Sequence, residues 1–171
     1  MSAETDTDVG ARGPVPALEE RATACADRLR AADRVLLASH IDADGLTSAA
    51  IASSSLERAG IPFETLFEKQ LDRSAIERIA ATDYDTVLFT DFGSGQLDDI
   101  VDFADEFTPV IADHHQPADA DTDFHLNPLL EGIDGASELS GAGASYVLAR
   151  ALGGEANRDL SNAPGSYWKR T

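Results

Sequence analysis

Val35-Leu36-Leu37-Ala38-Ser39 runs straight into His40-Ile41-Asp42-Ala43-Asp44-Gly45, and this apolar run followed by acids decides the fold. The form recurs twice. Thr86-Val87-Leu88-Phe89-Thr90 leads into Asp91-Phe92-Gly93, and Pro109-Val110-Ile111-Ala112 leads into Asp113-His114-His115. Short apolar runs bounded by turn residues read as buried parallel strands. Ile61 to Phe67 supplies a further strand. Between the strands lie helical patterns. Leu18, Ala22, Cys25, Ala26 and Leu29 share one face of a helix over 17–31, and a small-residue helix over 46–59 ends at Gly60. Ser74 with Glu77 predicts a capping box for a helix through Ala81. Leu97, Ile100, Val101 and Ala104 mark another amphipathic helix, and Ser140 to Leu152 the last. Alternating strands and helices predict an α/β fold: a doubly wound, mostly parallel sheet with helices on both faces.

With 171 residues the chain suffices for one domain, and 43% hydrophobic residues exclude a wholly disordered acidic polymer. Residues 1–16 lack apolar periodicity and read as a disordered tail. Asp and Glu number 31 against 13 Lys and Arg, a net charge of −18, and Lys69 and Lys169 are the only lysines. This balance suits a salt-rich cytosol of the halophilic archaeal kind, because at ~1 M salt the Debye length falls to ~3 Å. It argues against a broad basic groove. Cys25 stands alone, so no internal disulfide forms and a cytoplasmic setting is expected. No apolar run reaches the ~20 residues of a membrane span, and no membrane partner is expected.

Three strand ends bring seven metal-competent side chains to one rim: His40, Asp42, Asp44, Asp91, Asp113, His114 and His115. In an open parallel sheet the carboxyl ends of the strands form the ligand crevice. Mixed imidazole and carboxylate groups suit a divalent ion such as Mn²⁺, and more than four suit a pair. Taken as an extended stretch, His40, Asp42 and Asp44 project to one side with period two. Any one of these acids alone reads as a cap or turn former; their coincidence at three strand ends carries the metal reading. Other motifs fail. Gly93-Ser94-Gly95 lacks the third glycine of a dinucleotide loop, no P-loop is present, and Asp119, Asp121 and Asp123 lack the Gly and Glu of a calcium loop. Cys25 and His125 read as structural.

His40-x-Asp42-x-Asp44-Gly45, then Asp91, then Asp113-His114-His115 resembles the DHH phosphoesterase superfamily, named after that tripeptide. Thr90-Asp91-Phe92-Gly93-Ser94-Gly95 and Leu139-Ser140-Gly141-Ala142-Gly143 look most like its archaeal RecJ-like branch of single-stranded-DNA exonucleases. The resemblance covers about residues 17–160. It implies two Mn²⁺ ions, with Mg²⁺ as the alternative, and hydrolysis of phosphoester bonds. His40, Asp42 and Asp91 hold one ion by that resemblance, and Asp44, Asp91 and His114 the other, with Asp91 bridging. Asp113 orients the histidine pair and His115 assists at the phosphate or the leaving oxygen. Asn127, Ser140, Gly141 and Gly143 are the implied phosphate contacts.

The family's last metal-binding Asp is expected on a strand after an Asn-Arg-Asp-Leu-like segment. Here Asn157-Arg158-Asp159-Leu160 is followed by Pro164, Gly165 and no further Asp. The expectation is a partial domain over 17–160 with an atypical tail over 161–171, a weaker second ion and an apolar face open to self-association. Single-stranded DNA or RNA is the leading expected substrate, with a replication-complex partner of the GINS kind. A small phosphate (pyrophosphate, an oligonucleotide or a cyclic dinucleotide) and a noncatalytic scaffold or remnant are the alternatives.

Overall fold

The computed structural model describes residues 14–153. The tail before them, the Asn157–Leu160 segment and the stretch over 161–171 lie outside the described residues. After a 3₁₀ turn at Pro16–Leu18 come α1 (Glu19–Arg30), β1 (Val35–His40), α2 (Ala43–Ala59), β2 (Phe63–Glu68) and α3 (Arg73–Ala80). There follow β3 (Thr86–Thr90), α4 (Leu97–Ile100), β4 (Thr108–Ala112), β5 (His125–Leu126) and α5 (Gly141–Gly153). No helix among the described residues is long and apolar enough to cross a membrane.

The sheet order is β2-β1-β3-β4-β5, and every pairing is parallel. From β1 the chain steps outward to β2, then crosses back to β3 on the other side of β1. The order reverses between β1 and β3, and at such a switch point the connections leave to opposite faces and open a crevice. Burial shows those two faces. Val35, Leu37, Leu88, Val110, Ala112 and Leu126 pack with the apolar stripes of α1, α2 and α5. Leu36, Ala38, Val87, Phe89 and Ile111 pack with α3 and α4. Full burial of one Leu or Phe contributes about 1.5–3 kcal/mol, so these alternating side chains hold each strand in register. Cys25 is fully buried in the first cluster, and desolvation pushes its thiol up to about 12, which fits packing and not nucleophilic chemistry.

Four local expectations change. α3 is capped by Asp72, whose carboxylate accepts the Ala75 N–H at 2.8 Å, and not by Ser74, which lies inside the helix. The helix expected through Ala104 is a single turn, α4, between 3₁₀ turns at Ser94–Gln96 and Val101–Phe103; its buried Leu97 and Ile100 keep the predicted face. α2 starts at Ala43 because Asp42 serves as N-cap, accepting the Gly45 N–H at 2.9 Å. Asp42 and Asp44 therefore lie at a cap and in a first helical turn, not on a strand of period two. Finally, β5 is a strand that local sequence did not announce. Its two residues pair Ile111 with His125 and Ala112 with Leu126, and so short an element has no periodicity to read.

Leu126 is fully buried on that short strand. Leu126→Ala is expected to lower unfolding free energy by about 2–5 kcal/mol, the cost of a core cavity. Urea unfolding measures it; a loss below ~1 kcal/mol would show that β5 contributes little to the core.

Candidate metal centre

The rim is built where β1, β3 and β4 end. His40 closes β1, and its Nε2 lies 3.0 Å from the Lys69 carbonyl. A carbonyl only accepts, so Nε2 carries the hydrogen. The other nitrogen, Nδ1, faces Asp42 Oδ2 at 3.1 Å and Asp91 Oδ2 at 3.9 Å. His114, just past β4, repeats the arrangement with its ring reversed. Its Nδ1 donates to the Gly135 carbonyl at 2.6 Å, and its Nε2 faces Asp91 Oδ1 at 3.3 Å and Asp44 Oδ2 at 3.5 Å. In each ring the second nitrogen therefore faces carboxylate oxygens, and each such pair is favourable only with a proton or a cation between its members.

Asp91 is the shared member. It is 1% exposed, and neither carboxylate oxygen has a hydrogen-bond partner. Burial first, then the charges of Asp44, Asp42 and Asp113, push its carboxyl up to about 7, against a lowering by His114. It is also the one non-glycine among the described residues with positive φ, 60°, a conformation that Asp tolerates better than most residues. Its N–H is fixed to the Ala112 carbonyl at 3.1 Å, which ties the end of β3 to that of β4. A Cβ on Gly141 would collide with the Asp91 carboxylate, so only glycine lets α5 begin there. A Cβ on Gly45 would likewise meet the His40 carbonyl, so that glycine serves close packing of α2 on the end of β1.

These residues fit divalent cations. Ligand atoms of His40, Asp42 and Asp91 lie within 4.8 Å of one another, as do those of Asp91, Asp113, His114 and His115. Within the second group, Asp113 is already saturated. Its Oδ1 accepts His115 Nδ1 at 2.7 Å and the N–H groups of His114 and His115 at 2.8 and 3.3 Å. Its Oδ2 accepts the Ser94 N–H at 3.0 Å. Burial opposes its charge, yet the His115 bond and these N–H groups outweigh burial and hold the carboxyl below its usual range. Asp44 is the better second-site candidate, because one of its oxygens faces His114. The bond to Asp113 also raises the His115 pKa above its ordinary value, against partial desolvation.

Several donors among the implied phosphate contacts already have partners inside the protein. Asn127 is fully buried, and both of its amide hydrogens are engaged inside the protein, by Ser94 Oγ at 2.9 Å and the His115 carbonyl at 2.8 Å. The first N–H groups of α5 are occupied too. Those of Gly141 and Ala142 meet Asp44 at 3.0 and 2.8 Å, and that of Gly143 meets Ser140 Oγ at 3.2 Å. Asp44 thus compensates the positive end of α5, the place expected for an anion. His125 is buried as expected, with Nε2 2.8 Å from Ser94 Oγ. Sequence reasoning missed the carbonyls of Lys69 and Gly135, which set the two ring tautomers. A carbonyl belongs to every residue, so no residue type signals such a role.

Residues 34–164 match the model of the DHH family, N-terminal domain. An uncharacterized protein of Methanocaldococcus jannaschii is 33% identical over 122 residues, which cover 67% of this chain and 28% of that protein. Among solved structures, RecJ in complex with Mn²⁺ from Thermus thermophilus is similar with a TM-score of 0.62 at 24% identity, covering 82% of this chain and 21% of that one. Exonuclease RecJ bound to manganese is similar with a TM-score of 0.63 at 23% identity, covering 82% and 38%. The likeness to both RecJ structures is one of fold, and the chain spans well under two thirds of the length of each of these relatives.

Asp91 generates a pH prediction. Its carboxyl is raised in the folded state, so without metal its contribution is fully present below the ordinary value of 3.8 and is lost as pH rises through about 7. In chelator, wild-type Tm should fall from about pH 5 to about pH 8 more steeply than that of Asp91→Asn, which carries no charge and tolerates the positive φ. Mn²⁺ should raise Tm for the wild type and far less for the variant. Equal pH slopes in thermal melts would contradict the burial of an ionisable, unpartnered Asp91.

Proposed function

The chain belongs to the DHH family, and on that footing we propose that it is a metal-dependent phosphoesterase domain acting on phosphodiester bonds of single-stranded nucleic acid. The observation that carries this reading is the pair of histidine ring nitrogens, one on each side, aimed at the two unpartnered oxygens of one buried carboxylate. In this reading His40, Asp42 and Asp91 hold one divalent cation, and Asp44, Asp91 and His114 a second, with Mn²⁺ preferred and Mg²⁺ the alternative. Such ions lower the pKa of water and offset negative charge gathering on the phosphoryl oxygens. The protein's own part is to fix both imidazoles in the right tautomer, share Asp91 between two sites and keep a proton at His115.

His115 suits that last role. Its Nδ1 is engaged by Asp113, its ring borders the cleft, and its raised pKa favours the protonated form. The free Nε2 then donates to the departing oxygen. The cleft beside the rim measures about 530 Å³ and includes His40, Lys69, Asp91, Phe92 and His115 in its lining. Among the described residues, Lys69 is the sole Lys or Arg lining it. With a net charge of −18, the chain draws a phosphate chiefly through bound cations. That same balance favours a small phosphate as the second reading, since a long strand brings many phosphates against an acidic surface.

The chelated chain should be inert. Added Mn²⁺, in high salt, should restore cleavage of end-labelled single-stranded DNA or RNA. Asp91→Ala should lose more than the ~10–100-fold that removal of an outer-shell partner costs. Hydrolysis of pyrophosphate or a cyclic dinucleotide but not of strands would favour the second reading. Tight Mn²⁺ binding without hydrolysis of any of them would defeat the enzymatic reading and leave a scaffold.

A further inference from the structure

Behind the rim lies a buried polar hub that metal binding does not employ. Ser94 and Asn127 are both 0% exposed. They come from different parts of the chain, Ser94 just past β3 and Asn127 just past β5. Their hydrogen bonds converge on one residue from two directions. Asn127 Nδ2 donates to the main-chain carbonyl of His115 at 2.8 Å and to Ser94 Oγ at 2.9 Å. Its Oδ1 accepts the Leu129 N–H at 2.9 Å, which fixes the amide orientation. Ser94 donates its N–H to Asp113 Oδ2 at 3.0 Å, leaving Asp113 Oδ1 for the His115 ring at 2.7 Å. The Ser94 hydroxyl is backed in turn by His125 Nε2 at 2.8 Å.

Burying an amide and a hydroxyl costs free energy unless each is hydrogen-bonded, and apolar residues of similar shape would serve a core as well. Here the bonds brace the one rim histidine whose ring is anchored through a buried carboxylate and not through a main-chain carbonyl. The His115 side chain is 56% exposed, so packing alone leaves its rotamer open. Accepting the phosphoesterase reading above, we propose that Asn127 and Ser94 are positioning residues for His115. Asn127 fixes its main chain, Ser94 fixes Asp113, and together they hold the ring with Nε2 toward the cleft. This replaces the phosphate-binding role that the resemblance implied for Asn127.

Asn127→Ala, Ser94→Ala and the double variant test the proposal in the full chain. For whichever substrate the wild type cleaves, kcat should fall about 10–100-fold in Asn127→Ala, the scale of an ångström-sized misplacement. KM and Mn²⁺ affinity should stay within about twofold. The double variant should be little worse than the more severe single variant, because both act through one ring. Imidazole ¹H–¹⁵N spectra of the chelated protein give a second readout. The His115 Nδ1–H signal should be protected in the wild type and broadened in the variants, with the His40 and His114 signals unmoved. An unchanged His115 signal, an unchanged kcat, or a loss of kcat that tracks lost Mn²⁺ affinity would overturn the positioning role. If the wild type hydrolyses nothing, the phosphoesterase reading fails and the His115 spectrum alone decides this one. Should Asn127→Ala not fold, Asn127→Ser keeps an acceptor for Leu129 but is too short for His115, and the same outcomes apply.

Discussion

The carboxylate of Asp91 is buried among other acids and faces two imidazole nitrogens, with no hydrogen-bond partner for either oxygen. Two like charges about 4 Å apart repel by about 4 kcal/mol at the effective dielectric of a protein surface. Left alone, such a cluster lowers its energy by taking up a proton. A bound divalent cation would remove the repulsion and turn the same groups into ligands. The rest of the rim follows from placing this one residue. Asp91 sits beside the point where the strand order reverses, its positive φ turns the chain off β3, and Gly141 leaves it room.

Around that carboxylate the protein divides its polar groups by their remaining capacity. Asp42 and Asp44 each cap a helix, of α2 and α5 respectively, and still present an oxygen to a histidine. These two tasks are compatible because a carboxylate has four lone-pair directions and each N-cap uses one or two. Asp113 has no such spare capacity. Its four short contacts make it an internal strut, although its position next to two histidines resembles that of a ligand. Burial alone does not separate the two roles, since Asp91 and Asp113 are both interior. The count of donors does.

The outer surroundings are consistent with this inner chemistry. Backbone carbonyls of Lys69 and Gly135 set the ring tautomers without adding charge. A carboxylate in either place would raise ligand basicity further, but it would also add to an already negative rim. On the proposed reading, the charge of −18 over the whole chain would leave bound cations as the main source of attraction for a phosphate.

Much of this was legible in the amino-acid order, for a definite reason. Buried strands require consecutive apolar residues, so β1, β3 and β4 declared themselves, and a parallel sheet necessarily sends their carboxyl ends to one edge. Local pattern plus topology therefore suffices to assign His40, Asp91 and His114 to one rim. What local pattern could not show was direction and occupancy. Asp42 and Asp44 reach the site from a helix start and not a strand, Asn127 points inward, and the N–H groups at the start of α5 meet Asp44. Each of these depends on which group from a distant segment satisfies a donor or acceptor, and β5 exists only because β4 offers it a ladder. Residue type and spacing determined the fold class and the candidate ligands, because burial and strand polarity act through neighbours along the chain. Only the tertiary structure decided which carboxylate stays unpartnered, because hydrogen bonds are allotted among segments that meet in space.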